Sequence, residues 1–94
     1  MEVIGNTEVQ RRVEKLTGWS LADGKLVRDF KFNDFVEAFG FMSKVALVAQ
    51  RMDHHPEWSN VWNRVSVRLV THDAGGITAL DFDLAQKMSE LADE

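Results

Sequence analysis

Residues 34–58 read DFVEAFGFMSKVALVAQRMDHHPEW, and the fold turns on this run. Asn33 or Asp34 offers a side-chain oxygen to cap a helix. Phe35, Ala38, Phe39, Phe41, Met42, Val45, Ala46, Val48, Ala49 and Met52 then recur at helical spacing. They predict the longest helix of the chain, ending at about His54. Pro56 disfavours helical geometry in the residue before it, so the helix should stop at the histidine pair. A surface helix needs an apolar stripe only about 100° wide. Here the arc covers about half the circumference, and Val36 and Leu47 fall outside it. Either the helix lies deep against a sheet, or part of its surface packs on another subunit. The width of the arc favours the second.

Before this run, Thr7 with Gln10 reads as a capping box. Val9, Val13 and Leu16 follow at helical spacing, and Gly18 is a stop, which predicts a helix over about 7–17. Trp19–Ala22 and Leu26–Phe32 read as strands joined by the two-residue hairpin signal Asp23-Gly24. Leu26, Phe30 and Phe32 share one face, which Arg28 interrupts. After the run, Trp58–Trp62 reads as a short strand and Asn63-Arg64 as a turn without the usual glycine. Val65, Val67 and Leu69 alternate with Ser66, Arg68 and Val70, the pattern of a half-buried strand. It runs out at Thr71-His72-Asp73, and Ala74-Gly75-Gly76 is a loop. Thr78 with Asp81 is a second capping box, and Leu84, Ala85, Met88 and Leu91 give the last helix an apolar face. The order is α-β-β-α-β-β-α. It predicts an α+β fold in which three helices pack on one face of a four-stranded antiparallel sheet, as one domain over residues 1–94.

A chain of 94 residues buries a modest core, which fits help from oligomerisation. There is no cysteine, so no disulfide framework and no thiol chemistry. No stretch approaches a membrane span, and the first residues carry neither a basic region nor an apolar run. A cytoplasmic protein is the expectation. The net charge is -4 and the basic residues are scattered, which argues against direct nucleic-acid binding.

The chemistry-bearing residues are few. Two of the three histidines are adjacent, His54 and His55, and the third is His72. Imidazole gives or takes a proton near neutral pH. Neighbours on a regular helix point about 100° apart, so the pair would not easily grip one metal there. At a helix end one ring can face a pocket while the other props it. Taken alone, His72 reads equally as a solvated residue at a strand end. Asp81 has a structural duty as a helix cap, and Trp58 and Trp62 read first as core or subunit contacts. Together, three imidazoles and a carboxylate suit proton transfer to and from a bound heterocycle. By count they also suffice for zinc, but there is no cysteine, no HxxxH and no HExxH. No nucleophile elbow, phosphate loop or paired-carboxylate signature appears.

His54-His55-Pro56, Trp62, His72 and Asp81 stand in one register. With Gly18-Trp19, Phe39-Gly40-Phe41-Met42, Glu57-Trp58, Asn60-Val61, Thr71-His72-Asp73 and Asp83-Leu84-Ala85, they make a pattern over roughly residues 7–92. This pattern resembles the pterin-4a-carbinolamine dehydratases, also known as dimerisation cofactors of a homeodomain transcription factor. The resemblance implies dehydration of 4a-hydroxytetrahydrobiopterin to quinonoid dihydropterin in the recycling of tetrahydrobiopterin, with no metal or cofactor. It implies His54 and His72 as acids toward the 4a-hydroxyl, His55 as a substrate-positioning residue and Asp81 as the carboxylate beside the pocket. It places Asp53 and Thr71 in the pocket wall, with Trp58 a candidate substrate contact. It implies a functional link to an aromatic amino acid hydroxylase; the wide apolar arc adds the expectation of a homodimer or homotetramer, and the charge pattern and lack of a span that of no direct nucleic-acid or membrane partner. The alternative is a non-enzymatic module that binds a transcriptional regulator. One position departs from the pattern: Gln50 stands where the family usually has glutamate. One helical turn would set it beside His54, which a glutamine can orient but not charge.

Overall fold

The computed structural model describes residues 1–93. Its elements are α1 (Asn6–Glu14), β1 (Ser20–Ala22), β2 (Lys25–Lys31), α2 (Phe35–Met52), β3 (Glu57–Val61), β4 (Arg64–Leu69), a 3-10 turn (His72–Ala74) and α3 (Ala79–Ala92). The α-β-β-α-β-β-α order is the expected one. The strands form one antiparallel sheet in the order β1-β2-β4-β3. The two hairpins therefore meet through β2 and β4, and β1 and β3 are the edges.

Side-chain alternation decides which face is covered. Leu26, Phe30, Val65, Val67 and Leu69 point one way and are buried against Ala38, Phe41, Val45 and Ala49 of α2 and Leu84, Ala85 and Met88 of α3. Opposite parity carries Asp29, Lys31, Arg64, Arg68, Ser59 and Val61, all exposed. Arg28 lies on the buried face, as the sequence pattern required. Its guanidinium sits 4.2 Å over the Phe30 ring and donates to Ser89 Oγ at 2.9 Å. Removal from water lowers its pKa from the ordinary arginine value.

The wide apolar arc of α2 divides. Ala38, Phe41, Val45 and Ala49 are buried at i, i+3, i+4 spacing. Phe35, Val36, Phe39 and Leu47 remain 49–77% exposed. Asp34 caps the helix through Glu37 N at 2.8 Å.

Several boundaries differ from expectation. Helix α1 starts at Asn6 with Gly5 as an N-cap that makes no side-chain bond, so the Thr7–Gln10 box does not form. The preceding segment is tied instead by Ile4 N to Ile77 O at 2.8 Å, which starts the helix earlier. It ends at Glu14, and Leu16 and Trp19 continue through tight turns to Gly18 at φ 90°. The second hairpin turns at Trp62-Asn63, because Arg64 already pairs with Val61. Trp62 takes φ 51° and stays exposed, while buried Asn63 bonds Phe32 O through its side chain. The Asp23-Gly24 turn forms as read, with φ 52° and 75°.

Candidate active site

Helix α2 ends two residues before the expected His54, and this shift sets the site. Asp53 takes the left-handed conformation, φ 53° and ψ 40°. Asp53 N bonds Gln50 O at 3.2 Å and His54 N bonds Ala49 O at 3.0 Å. These are the two bonds of a Schellman motif. The reversal carries His54 inward, to 8% exposure, and leaves His55 outside.

The N-terminus of α3 meets His54 there. Thr78 and Asp81 form the expected capping box. Asp81 is fully buried, and its carboxylate gathers three bonds. Oδ1 lies 2.6 Å from His54 Nε2. Oδ2 accepts from Thr71 Oγ1 at 2.8 Å and from Thr78 N at 2.9 Å. A carboxylate oxygen only accepts, so His54 carries its hydrogen on Nε2. Thr71 spends its one hydroxyl hydrogen on Asp81, so Thr78 donates in the 2.8 Å contact between the two hydroxyls. Thr78 Oγ1 in turn accepts from Leu80 N. No buried side-chain nitrogen or oxygen among the described residues lacks a partner. His54 Nδ1 makes no hydrogen bond and therefore reaches the surface.

The other two histidines are exposed. His55 Nε2 lies 3.0 Å from Gln50 Oε1. Gln50 therefore does not serve His54, as the helical spacing led us to expect; the left-handed turn at Asp53 hands it the next residue. His72 sits on the 3-10 turn after Thr71, whose backbone bridges to Gly76. Its Nε2 is 3.3 Å from Glu57 Oε1. Glu57 is itself held by Lys25 Nζ at 2.8 and 3.2 Å. The Lys25 ammonium keeps the Glu57 carboxyl below its ordinary pKa.

Hydrogen bonds and chain neighbours thus close a ring: His54 to Asp81, Asp81 to Thr71, Thr71 to His72, His72 to Glu57, and Glu57 through Pro56 to His55. Direct contact joins His54, Thr71 and Asp81; His55 and His72 each have a separate acceptor. Asp53 acts as the helix terminator. Trp58 lies opposite Val67 and packs against the core half-buried. A cavity of about 480 Å³ lined by Val3, Leu21, Asp23 and Gly76, among others, includes none of the histidines. Among the described residues, no three His, Asp or Glu side chains gather as a metal-holding group. Sequence reasoning passed over Glu57, Lys25 and the second role of Thr78. Thr78 was visible as a cap, whereas the Glu57–His72 contact spans separate segments and had no local signal.

The profile of the family described as pterin 4 alpha carbinolamine dehydratase matches residues 2–91. The chain belongs to this family. A Solibacter usitatus protein provisionally named pterin-4-alpha-carbinolamine dehydratase is 52% identical over 89 residues, covering 95% of this chain and 94% of its own. A Prochlorococcus marinus protein with the same provisional name is 46% identical, covering 96% and 94%. The crystal structure of a Brucella melitensis protein described as a transcriptional coactivator/pterin dehydratase superposes with a TM-score of 0.93 at 45% identity, covering 97% of this chain and 99% of that one. In this member of the pterin dehydratase family, the His54–Thr71–Asp81 cluster is the place where the end of α2, the turn after β4 and the start of α3 converge.

Proposed function

We propose that the protein dehydrates a 4a-hydroxytetrahydropterin to the quinonoid dihydropterin and water. The C4a–O bond breaks, the departing hydroxyl takes a proton, the N5 proton leaves and a C4a=N5 double bond forms. Hydroxide is a poor leaving group, so an acid must meet it; general acid–base help contributes about 10²–10⁴ in rate. The observation that carries the reading is the buried His54–Asp81 couple, whose second ring nitrogen reaches the surface. A charged imidazole there keeps its Asp81 partner while Nδ1–H is presented to the hydroxyl. His72 serves as the second acid or base and His55 positions the ring. No cofactor or metal has a step in this scheme, and an aromatic amino acid hydroxylase would supply the substrate. Stopped-flow dehydration of freshly formed 4a-hydroxytetrahydropterin tests it. Acceleration that disappears in the His54→Ala, His72→Ala double variant is expected; a wild-type rate in that variant refutes it.

A second reading concerns association. Phe35, Val36, Phe39 and Leu47 leave α2 with an uncovered apolar face. It supports a homodimer or homotetramer, or a module that binds a transcriptional regulator. Oligomer and enzyme are compatible. A folded protein without dehydratase activity would favour the binding module.

A further inference from the structure

We propose that Glu57, anchored by Lys25, is a positioning residue for His72: it accepts the His72 Nε2 hydrogen and leaves Nδ1 as the nitrogen that meets the substrate. The inference rests on the reading above that His72 works in the dehydration.

The geometry comes from three segments. Glu57 opens β3, the edge strand, and its backbone is registered opposite Arg68 of β4. Lys25 opens β2, on the far side of β4 in the same sheet. The Lys25 side chain therefore spans the central strand to reach both carboxylate oxygens, at 2.8 and 3.2 Å. Arg68, though directly opposite Glu57, approaches Asp23 at 3.9 Å instead. Glu57 is left to Lys25 and His72. Its strand fixes the backbone and Lys25 fixes the carboxylate, so Oε1 stands at a defined point 3.3 Å from His72 Nε2.

His72 needs such a partner. Its side chain is 70% exposed on a short turn, and among the described residues Glu57 is its one side-chain partner. A free neutral imidazole exchanges between two tautomers and several rotamers. An acceptor at Nε2 selects one of each.

The same arrangement occurs at all three histidines. His54 turns Nε2 to Asp81, His55 to Gln50 and His72 to Glu57. In each case Nε2 meets a side-chain oxygen, and among the described residues Nδ1 makes no hydrogen bond. Three rings from two segments present the same nitrogen, each held by a different acceptor. The acceptors differ in burial: Asp81 is enclosed, while Glu57 is exposed and borrows its rigidity from Lys25.

The test is a long-range ¹H–¹⁵N correlation spectrum of the histidine rings, which reports the tautomer directly; only three rings contribute. It is recorded for wild type, Glu57→Ala and Glu57→Gln, beside stopped-flow kinetics and a thermal melt. Wild-type His72 should carry its hydrogen on Nε2. Glu57→Ala should show mixed tautomers at His72 alone. Its kcat should fall about fivefold, the upper range for an exposed charged pair, with KM unchanged. Glu57→Gln keeps an acceptor oxygen and should restore the tautomer and most of kcat. Melting temperatures should fall only slightly, because Glu57 lies at the surface and an exposed pair with Lys25 contributes little to stability. An Nδ1–H tautomer in wild type, or an unchanged His72 spectrum in Glu57→Ala, overturns the positioning role whatever the activity. A tautomer that shifts as expected while Glu57→Ala and His72→Ala both keep wild-type kcat overturns instead the part of His72 in the reaction.

Discussion

Replacing Asp81 by asparagine preserves shape and removes one acceptor, which makes it the sharpest probe of the site. Oδ2 receives two donors, and one of them, Thr78 N–H, is backbone and cannot turn away. The carbonyl oxygen of asparagine therefore belongs at Oδ2. Its amide nitrogen falls at Oδ1, 2.6 Å from His54 Nε2 in the native arrangement. Two donors would then face each other. His54 escapes by moving its hydrogen to Nδ1, so that Nε2 accepts from the new amide. The surface nitrogen is then the wrong one to collect a proton and pass it on. A charge-assisted buried bond worth about 1.5–3 kcal/mol is exchanged for a neutral one of about 1 kcal/mol, a net loss of about 1–2 kcal/mol. At about 4–8 °C per kcal/mol for a chain of this size, the melting temperature should drop by about 5–15 °C. The rate should fall by about 10²-fold, the lower range of general acid catalysis. Asp81→Ala orphans three donors at once and should cost more, about 3–5 kcal/mol. Circular-dichroism melting, stopped-flow dehydration and the His54 ring spectrum measure the three consequences. An asparagine variant that melts within about 2 °C of wild type and keeps hydrogen on His54 Nε2 would refute the donor accounting.

His54→Ala and His72→Ala should each slow dehydration by about 10²-fold or less, and the double variant should lose nearly all acceleration. His55→Ala should raise the Kd for a dihydropterin more than it lowers turnover, by titration beside the kinetics. The uncovered face of α2 and the sheet edge predict a dimer or tetramer; sedimentation of a stable monomer at micromolar concentration overturns this. Asp53→Gly should raise stability by about 0.5–1 kcal/mol, because glycine takes the left-handed conformation without strain; a lower melting temperature shows that the aspartate side chain supports the turn. Lys25→Ala should move the Glu57 titration upward toward the ordinary 4.5. Glu57 is depressed in the folded state, so the Lys25 contact favours folding above that ordinary value and is lost as pH falls through the depressed one. A side-chain carboxyl NMR titration with no upward movement counts against the contact.

What the sequence determined by itself was the order of elements and the local motifs that close within a few residues. Periodicity of 2 in Val65, Val67 and Leu69, and of 3.6 in Ala38, Phe41, Val45 and Ala49, is a local record of which side faces the core. The Asp23-Gly24 turn and the Thr78–Asp81 box are local too, because each closes within four residues. The tertiary structure decided three further matters. Burial split the arc of α2 into a core stripe and an open face, a division periodicity cannot make when both halves are apolar. A left-handed residue at Asp53 sent His54 inward and gave Gln50 to His55, overriding the helical spacing. Pairing across the sheet brought Lys25, Glu57 and His72 together from separate segments. Such contacts depend on strand order and register, and nothing in the neighbouring residues of any one of them encodes the other two.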